Sequence, residues 1–122
     1  MITSRIIISS QEKVELYRVR YEIFVVRDKN APRYLYKNRM LKDKIDDDGI
    51  HIGCFEKEML VGFLTVILKK QENYFLPIER QPNLSVPKKS AEIMRLIIRD
   101  NRDIGIRAQV MRLLLIHVKK QS

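Results

Sequence analysis

The residues whose types and spacing best suit them for chemistry lie near the end of the chain, in Arg102-Asp103-Ile104-Gly105-Ile106-Arg107. An apolar stretch, Glu92 to Ile98, precedes them and a long apolar run, Ile104 to Lys120, follows, which is the order strand, turn, helix. A helix N-terminus leaves its first amides unpaired and carries positive potential, so it attracts anions. Gly105 lets the backbone approach a phosphate closely, and Arg102 and Arg107 can add charge-assisted hydrogen bonds. A plain turn with two solvated arginines has the same spacing, so the residues alone leave both readings open. Other reactive types are less suggestive. Asp46-Asp47-Asp48 has neither a histidine nor a glycine-spaced calcium loop beside it, so a solvated acidic turn and no metal are expected. Cys54, the one cysteine, alternates with Ile52 and is expected to be a core thiol. His51 and His117 have no Cys or Asp partner at triad spacing.

The elements that must position these groups follow from periodicity. Ile6-Ile7-Ile8 predicts a strand. Ser9-Ser10-Gln11-Glu12 has capping-box spacing, and Val14, Tyr17, Tyr21 and Phe24 recur every three or four residues, which predicts an amphipathic helix over residues 11–26. Residues 27–48 are polar, with room for one short helix around Leu35–Leu41. Ile50–Phe55 and Met59–Leu68 flank the charged turn Glu56-Lys57-Glu58 and predict an antiparallel hairpin, with Val61–Ile67 apolar enough for the middle of a sheet. Residues 70–90 hold Pro77, Pro82 and Pro87 and form a long connection to the Glu92–Ile98 strand and the final helix. That helix is apolar nearly all round from Val110 to Val118 and expects cover on more than one side. The order β–α–(α)–β–β–loop–β–α predicts an α/β (α+β) domain with a mixed sheet, not an all-parallel one.

At 122 residues the chain is the size of one domain, and a single cysteine excludes a disulfide-stapled scaffold. No apolar run approaches the roughly 20 residues of a membrane span, and Met1–Arg5 lacks the apolar stretch of a signal peptide, so a cytoplasmic protein is expected. The net charge of +9 admits nucleic acid, an anionic surface or a phosphorylated ligand. From Lys88 to Lys120 nine cations face three acids, which concentrates the charge around the strand–turn–helix. Neither a zinc pattern nor a recognition helix is present, and nucleic acid is not the expected partner.

Several segments resemble, in the right order, the GCN5-related N-acetyltransferase superfamily. Arg102-x-x-Gly105-x-Arg107 after a strand is similar to its acyl-CoA pyrophosphate loop, with arginine at the third position where a small residue is usual. Leu16-Tyr17-Arg18-Val19-Arg20-Tyr21-Glu22-Ile23-Phe24-Val25 resembles the first helix of long-chain N-acyl amino acid synthases and acyl-homoserine-lactone synthases. Asp48-Gly49-Ile50-His51 with Val61-Gly62 resembles their hairpin. Phe75-Leu76-Pro77-Ile78-Glu79 and Ala91-Glu92-Ile93-Met94-Arg95-Leu96 resemble their loop and following strand. The resemblance implies one acyltransferase domain over 1–122, a mixed, mostly antiparallel sheet flanked by helices, with the N-terminal portion of the usual fold and without its C-terminal part.

It also implies transfer of an acyl group from acyl-CoA or acyl carrier protein to a small-molecule amine such as an amino acid. Glu92 would be the catalytic base, and Arg20, Phe24, Glu79 and Arg95 would bind substrate. A backbone amide near Ile97 or Ile98 would polarise the carbonyl, with Arg102, Gly105, Ile106 and Arg107 on the pyrophosphate. Salt bridges are the competing expectation, of Glu92 to Arg95 or Arg99 and of Arg95 to Glu79 or Glu92. Two alternatives stand beside catalysis: a non-catalytic basic binding or assembly module on the same fold and, more distantly, nucleic-acid binding. An uncovered final helix or strand edge would favour a homodimer.

Overall fold

Four antiparallel strands in the spatial order β1-β2-β3-β4 carry the helices of the protein. The computed structural model describes residues 1–69, 90–99 and 104–121. β2 (Gly49–Glu56) and β3 (Met59–Leu68) form the expected hairpin, with β1 (Ile2–Ile6) beside β2 and β4 (Ala91–Ile98) beside β3. All three pairings are antiparallel, so the described sheet has no parallel pair. β3 is central, as its near-continuous apolar run predicts, and Val61, Phe63, Leu64, Val66 and Ile67 are all buried.

Side-chain alternation divides the core in two. Ile52 and Cys54 of β2, with Leu64 and Val66 of β3, pack under Val110 and Leu114 of the C-terminal helix α2 (Ile104–Gln121). On the opposite face Ile7, Phe55, Leu60 and Phe63 pack under Leu16 and Tyr17 of α1 (Ser10–Arg20). Both layers are apolar where they meet the sheet, which is how a single chain of this size excludes water from two faces of one sheet.

Several expectations shift. The first strand is Ile2–Ile6 rather than Ile6–Ile8, because Ile2, Ser4 and Ile6 alternate against β2 while Ile8 is exposed. Ser9 caps α1 as its spacing predicts, accepting from the Glu12 amide at 3.1 Å. The single helix predicted over 11–26 is two segments, since after Arg20 the backbone widens into a π-helix, Tyr21–Arg27. The buried positions accordingly run Leu16/Tyr17, Arg20/Tyr21 and Val25, a spacing near four that suits the wider turn. In place of a helix at Leu35–Leu41 there is one 3₁₀ turn, Arg33–Leu35. The acidic turn is a 3₁₀ segment, Lys44–Asp48, and its Asp46 is buried rather than solvated. The long connection over 70–89 and the turn at 100–103 lie outside the described residues.

Candidate functional site

The β3–β4 ladder is interrupted where site residues are expected. Phe63 pairs with Ile97 and Thr65 with Met94, so Arg95 and Leu96 together oppose the single residue Leu64. Such a bulge re-aims a side chain. Arg95 adopts φ 52°, a left-handed conformation that costs a non-glycine residue about 1 kcal/mol. Its guanidinium then reaches over the α1 face of the sheet to Asp43 Oδ2 at 2.5 Å, with Cζ 5.9 Å from the centre of the Phe24 ring. The Tyr36 hydroxyl donates to the other oxygen of Asp43 at 3.0 Å. Burial and the bond to Asp43 raise the Tyr36 phenol above its ordinary pKa, which keeps it a donor. The side chains of Arg95 and Asp43 are 24% and 37% exposed, so this cluster opens to solvent and Arg95 retains donors for a ligand.

Behind it lies a buried polar network. Arg20 Nη1 donates to Asp46 Oδ1 at 2.9 Å and to the Leu41 carbonyl at 3.3 Å, and Nη2 donates to Thr65 Oγ1. Thr65 Oγ1 is 2.7 Å from His51 Nδ1, and His51 Nε2 is 3.0 Å from the Tyr17 hydroxyl. Burial, followed by the charge of Arg20, pushes His51 down to about 4, so the imidazole is neutral near pH 7. One assignment serves these contacts, with Thr65 accepting from Arg20 and donating to Nδ1 and Nε2–H donating to Tyr17, while Arg20 Nε is buried without a hydrogen-bond partner. Asp46 also accepts the Asp43 amide at 2.8 Å, so the buried Arg20–Asp46 pair fixes the residue that holds Arg95.

The third part of the site is the junction of β4 and α2. The Arg99 amide donates to the Val61 carbonyl at 2.9 Å, which turns residues 97 and 99 toward β3. By strand alternation the Ile98 amide points away from β3, on the side of β4 that pairs with no strand among the described residues. Ile98 lines a shallow cavity of about 360 Å³ with Ile104, Arg107, Ala108 and Met111 at the start of α2. α2 can approach this closely because Gly62 lacks a side chain; a Cβ there would lie 2.5 Å from Val110 Cγ1 and 3.3 Å from the Ile97 carbonyl. Gly105 and Arg107 are exposed in the first turns of α2, while Ile106 packs on the core.

Of the residues singled out from the sequence, the fold brings Phe24 to Arg95 and Ile98 to Arg107. Glu92 lies partly exposed on the α1 face of β4, opposite Ile67. Ile97 packs inward beside Phe63. Arg20 sits in the interior, fully buried, rather than on a substrate-facing surface. Among the described residues the carboxylate paired with Arg95 is Asp43 rather than Glu92. Glu79 and Arg102 lie outside the described residues. Asp43, Tyr36 and Thr65 were not expected; the Asp43-x-x-Asp46 spacing was their one sequence signal, and it forms a capping box. Among the described residues no group of three His, Cys, Asp or Glu side chains is placed to hold a metal. No helix among them is long and apolar enough to cross a membrane.

By sequence, no family model matches this chain and no curated protein matches it. Solved structures do match it. A GCN5-related N-acetyltransferase from Ralstonia eutropha JMP134 superposes with a TM-score of 0.57 at 13% identity, covering 99% of this chain and 78% of the other. A predicted acetyltransferase from Clostridium acetobutylicum, solved with acetyl-CoA, gives 0.52 at 9% identity, covering 99% and 75%. An integron cassette protein from the mobile metagenome of V. cholerae gives 0.52 at 18% identity, covering 94% and 66%. A sheet with a bulged fourth strand, a helix on each face and this likeness together give the chain the fold of the GCN5-related N-acetyltransferases.

Proposed function

We infer that the protein is an N-acyltransferase of the GCN5-related superfamily, taking the acyl group from acyl-CoA and passing it to the amine of a carboxylate-bearing acceptor such as an amino acid. The bulge in β4 is the observation that carries this reading, because it sets a half-buried arginine on the α1 face of the strand that also bears the outward Ile98 amide. The outward Ile98 amide is the donor for the thioester carbonyl, and the cavity at Ile98 and Arg107 beside the N-terminus of α2 is the place for the donor's phosphates. The acetyl-CoA bound by the Clostridium neighbour, which shares the fold, supports a CoA donor. Arg95 and Asp43 receive the acceptor, Arg95 holding its carboxylate and Asp43 standing ready for its ammonium group.

In the reaction the neutral amine attacks the thioester carbon, the C–N bond forms and the C–S bond breaks. Glu92, on the strand that carries Arg95, is the base that takes the amine proton through intervening water, and the same relay returns it to the thiolate, which leaves as the free thiol. Arg20 acts at a distance in this scheme, as a positioning residue that holds Asp46 and through it Asp43.

A thermal shift with CoA and acyl-CoA tests the donor half. A ligand at 100 times its Kd stabilises by about 2.7 kcal/mol, and the shift persists at moderate salt when the site is specific. A shift that salt abolishes, or that an equally charged polyanion reproduces, removes the donor assignment.

A further inference from the structure

The outward face of α2 beyond Met111 has no role in the chemistry above, yet its composition is unusual. Val110 and Leu114 are buried against the sheet, while Leu115 and Ile116 remain 44% and 46% exposed on the other side. They share a shallow apolar cavity of about 470 Å³ with Ala108, Met111, Arg112 and Lys119. The helix carries Arg107, Arg112, Lys119 and Lys120 and not one acid. From Ser10 to Asp48, by contrast, ten cations are offset by eight acids. The sheet separates the two: α1 and the π-helix lie over one face, α2 over the other. Among the described residues the α2 side is therefore the more positive, and a negative surface attracts that side.

Charge complementarity requires an anionic occupant. A second copy of the chain across a two-fold axis would set Arg112 and Lys119 against their own copies. Leu115 and Ile116 select further, since apolar side chains among cations gain from an acyl layer beneath anionic headgroups and gain nothing from phosphodiester or carboxylate alone. We propose that α2 docks the protein on an anionic lipid bilayer, with Leu115 and Ile116 at the acyl boundary and Arg112 and Lys119 among the headgroups. The surface is peripheral, and it lies on the opposite side of the sheet from the Arg95–Asp43 cluster, leaving that cluster open to the aqueous acceptor.

Flotation with vesicles of phosphatidylglycerol and phosphatidylcholine, against phosphatidylcholine alone, tests this with the full chain. Binding is expected only to the anionic vesicles. Arg112→Gln/Lys119→Gln weakens it roughly 30-fold. Arg33→Gln/Arg39→Gln removes equal charge from exposed positions beside the π-helix and leaves binding within about twofold. Leu115→Ser/Ile116→Ser abolishes the part of binding that survives 0.5 M salt. All substituted side chains are solvent-accessible, and a thermal melt confirms that each variant is folded. Equal binding to neutral vesicles, equal loss from both charge variants, or full displacement by poly-glutamate would overturn the proposal.

Discussion

Arg20 shows how one residue in the interior supports a site at the surface. Its guanidinium is fully buried and spends its donors on Asp46, Thr65 and the Leu41 carbonyl, residues 21 to 45 positions away in the chain. Arg20→Ala should cost about 3–5 kcal/mol in a denaturant titration, since it leaves Asp46 buried and uncompensated. The double variant Arg20→Met/Asp46→Leu should recover most of that loss, because two apolar groups need no partner. An unchanged Arg20→Ala midpoint would show that the pair is not the internal support described. His51 gives a pH signature of its own. Its pKa is 6.5 when unperturbed and about 4 in the fold. Between those values the unfolded chain binds the extra proton, so stability falls as pH drops through that window and is constant for this group above it. The loss is roughly 3 kcal/mol, and His51→Gln should flatten the stability profile between pH 6.5 and 4. Neither behaviour was legible in the sequence. An arginine within an amphipathic helix ordinarily points to solvent, and only contacts distant in sequence bring this one inside.

At the scale of elements, what could be foreseen was whatever local periodicity decides. The hairpin, the central strand, the cap at Ser9 and the final helix all emerge from spacing within about ten residues. The π-helix did not, because Val14, Tyr17, Tyr21 and Phe24 fit an α-helical repeat as well as the wider turn that places Val25 inside. The bulge at Arg95 was equally hidden, since its cause is the register of β4 against β3. The hairpin also stores removable strain. Lys57 and Glu58 form its two-residue loop with φ of 49° and 67°, a geometry that favours asparagine and glycine. Lys57→Asn/Glu58→Gly should raise stability by about 1 kcal/mol and leave the fold unchanged. A lower melting temperature would show that these side chains make interactions that outweigh their backbone cost.

For the whole molecule, the two sides of the sheet divide the work. The α1 side gathers Phe24, Tyr36, Asp43 and Arg95 over a buried polar network, and the α2 side supplies a helix N-terminus and a basic outer surface. The sequence pointed to the fold, but it gave no sign that Asp43 would pair with Arg95. Asp43 was invisible because it belongs to an acidic segment that reads as solvated until Arg20 draws Asp46 inside. Turnover tests the central claim most directly. The full chain is incubated with acetyl-CoA or a long-chain acyl-CoA and a panel of free amino acids, and released CoA thiol and amide product are followed. Cys54 does not interfere, being buried with its thiol pushed up to about 11. The account predicts amide formation that Glu92→Gln or Arg95→Ala slows by about 100-fold or more, with little change in melting temperature. No amide from any pair, or equal rates in the wild type and both variants, would contradict it.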